Sequence, residues 1–167
     1  SQKTMLIAQE LYEGVNIGEK STHGLITYMR TDSLRISDEA RAAAKELIEA
    51  KYGVKYYPKT PRIFKTKKDA QDAHEAIRPT DVNLTPETVR ESLTPEHYRL
   101  YKLIWDRFMA SQMASAVYNT RSVEITANGY LFRASDSQLL FDGFTTLYHD
   151  AEEEQDFLRK SPASHLT

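Results

Sequence analysis

Near residue 116 the spacing of apolar side chains changes from helical to strand-like, and no other feature constrains the fold as strongly. Downstream, Val117, Asn119, Arg121, Val123, Ile125 and Ala127 alternate with Tyr118, Thr120, Ser122, Glu124 and Thr126, a period of two. One pattern cannot serve both geometries: a strand turns each successive side chain to the opposite face, whereas a helix returns to a face every three to four residues. Asn128-Gly129 then supplies a hairpin signal, because a type I′ turn needs positive φ at both central residues. Residues 130–134 return along the first strand, and 143–148 are expected to add a third. The chain therefore reads as α+β, with helices first, a small antiparallel β-meander after, and a boundary near residue 115. Nothing in it repeats.

Upstream of the switch, the helix signals are explicit. Residues 4–13 place Met5, Ile7, Ala8, Leu11 and Tyr12 along one stripe, and Gly14 follows as a stop. Ser37 is an N-cap, and Asp38 and Glu39 suit the positive end of a helix whose Ala40, Ala43, Ala44, Leu47 and Ile48 form its apolar stripe; Gly53 closes it. Thr85-Pro86 and Thr94-Pro95 repeat one start signal, an N-cap hydroxyl followed by proline at the first helical position. The second opens a long helix over about 95–113, with Tyr98, Tyr101, Leu103, Ile104, Trp105, Phe108 and Met109 as the expected bulk of the core.

Composition narrows the class. With 40% apolar and 28% charged residues in 167, the chain matches a globular domain, with or without a small satellite, and not a disordered or collagen-like one. No apolar run approaches the roughly 20 residues of a membrane span, and the start lacks a signal-peptide core. The absence of cysteine excludes disulfides, zinc ribbons and thiol catalysis and fits an intracellular setting. A net charge of −2 conceals a polarised distribution. Lys51, Lys55, Lys59, Arg62, Lys65, Lys67 and Lys68 form a strip without acids, while 150–156 carries Asp150, Glu152, Glu153, Glu154 and Asp156 without a base. The strip reads either as a solvated loop or as a track for phosphates.

The chemistry lies in Gly24-Leu25-Ile26-Thr27-Tyr28-Met29-Arg30-Thr31-Asp32-Ser33. If 25–30 is extended, Tyr28 and Arg30 project from one face. A phenol with an ordinary pKa near 10 is only ~0.1% ionised at neutral pH, so a tyrosine nucleophile needs help. A guanidinium can stabilise the phenolate and the charge that develops on a phosphate under attack. Asp32 could orient Arg30 or cap a turn with Ser33. Taken alone, one Tyr-X-Arg among ten tyrosines is ordinary strand packing.

A second cluster is Gln71-Asp72-Ala73-His74-Glu75-Ala76-Ile77-Arg78-Pro79-Thr80-Asp81. It opens like a zinc-protease helix, but Arg78 stands where a second histidine is required, so that site cannot form. On a short helix His74 and Arg78 would share a face, with Pro79 ending the helix just beyond. Arg78 at a helix end suits a phosphate contact, a cap or a salt bridge.

Together, 26–33 and 73–79 resemble type IA DNA topoisomerases. Lys3-Thr4-Met5, 8–13, Leu100-Tyr101-X-Leu-Ile104-Trp105-X-Arg107-Phe108 and Phe141-Asp142-Gly143-Phe144 fit the same family, so the likeness runs in order over roughly 1–148. Methionine at position 29 resembles the bacterial topoisomerase I branch. The resemblance implies a mainly helical domain of winged-helix/CAP-like type over 1–115, part of a β arch over 116–148, and an acidic linker or tail over 149–167. It implies Tyr28 as the nucleophile that retains a 5′-phosphate, and Arg30 as the arginine on the scissile phosphate. His74 matches a histidine near the cleavage site, with Arg78 beside it as a structural or backbone contact; Thr31 and, from the basic strip, Lys65, Lys67 and Lys68 are the further expected nucleic-acid contacts.

The family's activity would then be ATP-independent strand passage that relaxes negatively supercoiled DNA in the bacterial cytoplasm, at the nucleoid. Its Mg²⁺ belongs to a Toprim domain whose Asp-X-Asp motif this chain lacks, so no cofactor is expected on these residues and the piece alone is expected to be inactive. Expected partners are single-stranded and supercoiled DNA and the rest of a topoisomerase chain, with no membrane. An uncovered edge of the β-meander could also pair with a second copy. Two other classes remain open: a non-catalytic winged-helix DNA-binding module, and a tyrosine recombinase-like enzyme, for which no Arg-His-Arg constellation is evident.

Overall fold

The computed structural model describes residues 2–18, 22–64 and 74–148. Its elements are α1 (Gln2–Glu13), β1 (Val15–Asn16), β2 (Thr22–His23), α2 (Asp38–Lys51), α3 (Pro86–Val89), α4 (Pro95–Gln112), β3 (Val117–Ala127) and β4 (Tyr130–Phe141). The chain divides into two compact units, Ser1–Ala114 and Ser115–Thr167. The α+β order expected from the change of period is therefore the observed one.

The caps form as the sequence spells them. Ser37 accepts from the Ala40 amide at 3.2 Å, Thr85 from Thr88 at 3.4 Å and Thr94 from His97 at 3.3 Å. Each satisfies a donor that a helix start leaves without an intrahelical partner, worth about 1 kcal/mol.

In the first unit α4 is the hub, and α1, α2 and α3 each pack against it. Tyr101, Trp105, Phe108 and Met109 are buried along its inner face, opposite Leu11, Ala44, Ile48 and Val89. Two of these aromatics also anchor chain. Trp105 Nε1 donates to the Val82 carbonyl at 3.0 Å, and the Tyr101 hydroxyl donates to the Leu84 carbonyl at 2.5 Å. Burial, with the nearby Asp81 carboxylate adding to it, raises the pKa of Tyr101, so its phenol is a fixed donor. Three expected core residues lie elsewhere: Leu103 is half exposed and Tyr98 and Ile104 are only partly buried, while Asp106 is buried with Lys102 as its ion-pair partner. The apolar run of α4 wraps wider than the face its neighbours cover. Tyr12 likewise leaves the α1 stripe and is 42% exposed.

The second unit is a long hairpin. β3 and β4 pair antiparallel from Ala127↔Tyr130 out to Val117↔Phe141, with an irregularity between Val117 and Tyr118. Asn128 and Gly129 take φ of +51° and +83°, the left-handed pair that the turn requires. The expected third strand is absent: 143–146 form a 3₁₀ turn instead. Gly143 has φ +50°, and Thr145 returns both its amide and its hydroxyl to the Asp142 carbonyl, at 3.0 and 2.6 Å. That local closure consumes the groups a third strand would have offered to a ladder. Among the described residues the sheet has two strands and no neighbour on either edge.

Candidate active site

Residues 24–27 and 76–80, some fifty positions apart in sequence, are stitched together by their backbones. Thr27 N donates to the Arg78 carbonyl at 2.9 Å and Thr80 N to the Leu25 carbonyl at 3.0 Å, around a bridge between Ile26 and Pro79. The Thr27 hydroxyl donates to the Ala76 carbonyl at 2.8 Å and accepts from Arg78 N at 2.9 Å. Thr80 Oγ1 donates to the Gly24 carbonyl at 2.6 Å, and Leu25 N to the Leu11 carbonyl at 2.8 Å. These groups are satisfied mutually, as buried backbone requires. Since α4 holds 82–84 through Trp105 and Tyr101, the tie reaches from the core to the residue before Tyr28.

This pairing explains a departure from expectation. The segment 74–78 is not helical. Its polar groups at Ala76 and Arg78 serve Thr27 and the Arg35 carbonyl, so they cannot also close helical turns. Arg78 is largely buried, with its Nε and Nη2 on Glu75 Oε2 at 3.1 and 2.5 Å and its Nη1 on the Pro79 carbonyl at 3.0 Å. All three arms of the guanidinium's donor set face the protein's own oxygens, which fixes the bend before Pro79.

The extended stretch is also shorter than expected, because the chain bends at 29–30. Tyr28 and Arg30 are nonetheless exposed while Met29 between them is buried. Tyr28 is 36% exposed, and its ring is flanked on two sides: Tyr12 meets it edge-on at 5.4 Å between centroids, and His74 lies tilted at 5.3 Å. Such contacts fix ring orientation. Among the described residues, neither the Tyr28 hydroxyl nor the Arg30 guanidinium has a hydrogen-bond or ion-pair partner. Asp32 makes no ion pair with Arg30; the following turn is held by Thr31 Oγ1, accepting from Ser33 N at 3.0 Å, and Ser33 Oγ, accepting from Arg35 N at 3.2 Å.

Tyr12 is the site neighbour that its apolar stripe concealed. Its signal in the sequence is Gly24: a Cβ there would lie 2.7 Å from the Tyr12 carbonyl oxygen, so only glycine lets 24–25 close onto the end of α1. Lys65, Lys67 and Lys68 lie outside the described residues. Among the described residues no three Asp, Glu or His side chains are grouped to hold a metal ion, so these residues do not fit a Mg²⁺ site. Among the described residues no helix is long and apolar enough to cross a membrane.

The family model for DNA topoisomerase matches residues 1–164. Among solved structures, full-length topoisomerase I from Thermotoga maritima is 38% identical, with a TM-score of 0.75 over 89% of this chain and 23% of that one. The chain belongs to the bacterial type IA DNA topoisomerase family. It spans less than a quarter of the length of that relative.

Proposed function

We propose that the chain carries the nucleophile of a DNA topoisomerase that cleaves and reseals one strand, with Tyr28 as the attacking group and Arg30 as its electrostatic partner. One observation carries the reading: an exposed phenol clasped between Tyr12 and His74 and, among the described residues, without a hydrogen-bond partner, followed two residues on by an exposed guanidinium that is equally unengaged. Tyr28 Oη attacks a backbone phosphorus, the Oη–P bond forms and the P–O3′ bond breaks. The phenolic proton leaves to solvent or a neighbouring base, and the 3′-oxygen departs to take up a proton. The 5′-phosphate stays on the tyrosine, so resealing is the reverse exchange and needs no nucleotide cofactor. Arg30 meets the charge that grows on the non-bridging oxygens.

His74 contacts the strand beside the break, and Thr31, Lys65, Lys67 and Lys68 follow its phosphates. The Arg78 side chain, committed to Glu75 and Pro79, shapes the site rather than reaching for DNA. Passage of the intact strand through the break relaxes negatively supercoiled DNA, in the cytoplasm at the nucleoid. Mg²⁺ is assigned to a Toprim domain elsewhere in the enzyme, and the 167 residues alone bind DNA without relaxing it.

The test is Tyr28→Phe in the full enzyme. Cleavage and relaxation should fall to background while the melting temperature stays unchanged, because one exposed hydroxyl is lost. A 5′-DNA adduct recovered on any other tyrosine overturns the assignment.

A further inference from the structure

Beyond the Tyr28 site, Leu34, Arg35, Ile36, Arg41, Arg62, Ile63 and Phe64 line an open cavity of about 250 Å³. No acidic residue lines it. Arg41 is paired with Asp38, whereas the exposed Arg35 side chain has no hydrogen-bond or ion-pair partner among the described residues. The lining also has an accessible apolar part, with Phe64 40% and Ile63 76% exposed. Guanidinium groups and an exposed aromatic ring lining one cavity call for a ligand that is itself an anion joined to a flat apolar ring. A nucleotide has that chemistry. A free phosphate would leave Ile63 and Phe64 unused, and a duplex keeps its base faces stacked and out of Phe64's reach.

The cavity is also tied to the reactive tyrosine. The Arg35 carbonyl accepts from the Ala76 amide at 2.8 Å, in the segment whose His74 flanks Tyr28. The seven residues from Tyr28 to Arg35 could span at most about 25 Å fully extended, a reach of a few nucleotides. We propose that this cavity is a subsite for one nucleotide of the single strand, its phosphate on Arg35 and Arg62 and its base against Phe64. The inference rests on the single-strand reading of the Tyr28 site and adds a second point that fixes the strand's path.

The experiment measures binding of a fluorescent short oligothymidylate to the chain by anisotropy across a salt series. Arg35→Gln should weaken binding ~5-fold or more and reduce the slope of log affinity against log salt by about 0.7, the loss of one single-strand phosphate contact. Arg35→Lys should restore the slope. Phe64→Ala should weaken binding ~5-fold or more with the slope intact, as loss of a stacked base does. Thymidine monophosphate should displace the oligonucleotide at concentrations where inorganic phosphate does not. Wild-type binding that neither variant alters, with unchanged melting curves, overturns the subsite and leaves the Tyr28 reading standing. Equal competition by phosphate overturns the base contact. A wild-type chain that binds no oligothymidylate overturns both readings.

Discussion

In the helical unit Tyr101, Leu11 and Leu25 are fully buried and Trp105 and Ile26 are 1% exposed, whereas in the hairpin Ile125, Phe132 and Tyr130 are 57%, 60% and 70% exposed. Both regions are regular secondary structure, yet only one has an interior. The hairpin's register is set by Asn128-Gly129 and the cross-strand ladder, which are local and need no burial. Its distal face gathers Val123, Ile125, Phe132 and Tyr130 through the Val123↔Ala134, Ile125↔Phe132 and Ala127↔Tyr130 pairs, and among the described residues of its own unit no layer covers them. A two-stranded ribbon of this kind is marginal in isolation. The tyrosine proposed as the nucleophile sits in the other region, next to backbone at Leu25, Thr27, Arg78 and Thr80 that is hydrogen-bonded between two segments. A nucleophile must be aimed, and aim requires a rigid support.

The strongest way to break this contrast is to delete one large side chain on each side of it. Trp105→Ala should cost about 3–5 kcal/mol, since a buried indole and its bond to the Val82 carbonyl are both lost. Phe132→Ala should change stability by under about 0.5 kcal/mol. Denaturant unfolding monitored for each unit compares them, and similar losses would mean the hairpin is packed after all. Next in size is Arg30→Ala in the full enzyme, expected to slow adduct formation about 100-fold with an unchanged melting temperature. If it weakened DNA binding to the same degree as it slowed the rate, Arg30 would be only another phosphate contact.

Gly24→Ala sharpens the claim that support and chemistry are joined. Its methyl would press on the Tyr12 carbonyl, a backbone atom that cannot swing away, at an expected cost of about 1–3 kcal/mol. Cleavage should drop further than the stability loss explains, because the Tyr12–Tyr28 contact is displaced; an unaltered rate would detach Tyr12 from the site.

The smallest effect concerns Asp106. Burial raises its carboxyl pKa above 3.8, only partly opposed by Lys102. A group raised in the folded state favours its protonated form there, so the stabilisation is complete below pH 3.8 and lost as pH climbs through the raised value. Asp106→Asn should remove that slope, read from melting temperature against pH. A steeper slope in the variant would reverse the sign.

Local terms were legible in the sequence because they act within a turn. Ser37, Thr85 and Thr94 cap their helices three residues on, Asn128-Gly129 adopts its own positive φ values, and the change of period divides the units, whatever the rest of the chain does. The chemical types at positions 28 and 30 were equally visible, and so was their likeness to a family. Which residues gather round them was not. Tyr12 read as core and 74–78 read as helix, because helix propensity and apolar spacing take no account of a partner strand fifty residues away. Only the tertiary structure, by closing Thr27 onto Ala76 and Arg78 and Gly24 onto Tyr12, decided where those polar groups would be satisfied. In doing so it placed His74 and Tyr12 against the ring of Tyr28. It also left Leu103 in water and buried Asp106, since burial belongs to the faces that neighbours cover and not to the residues that most favour it.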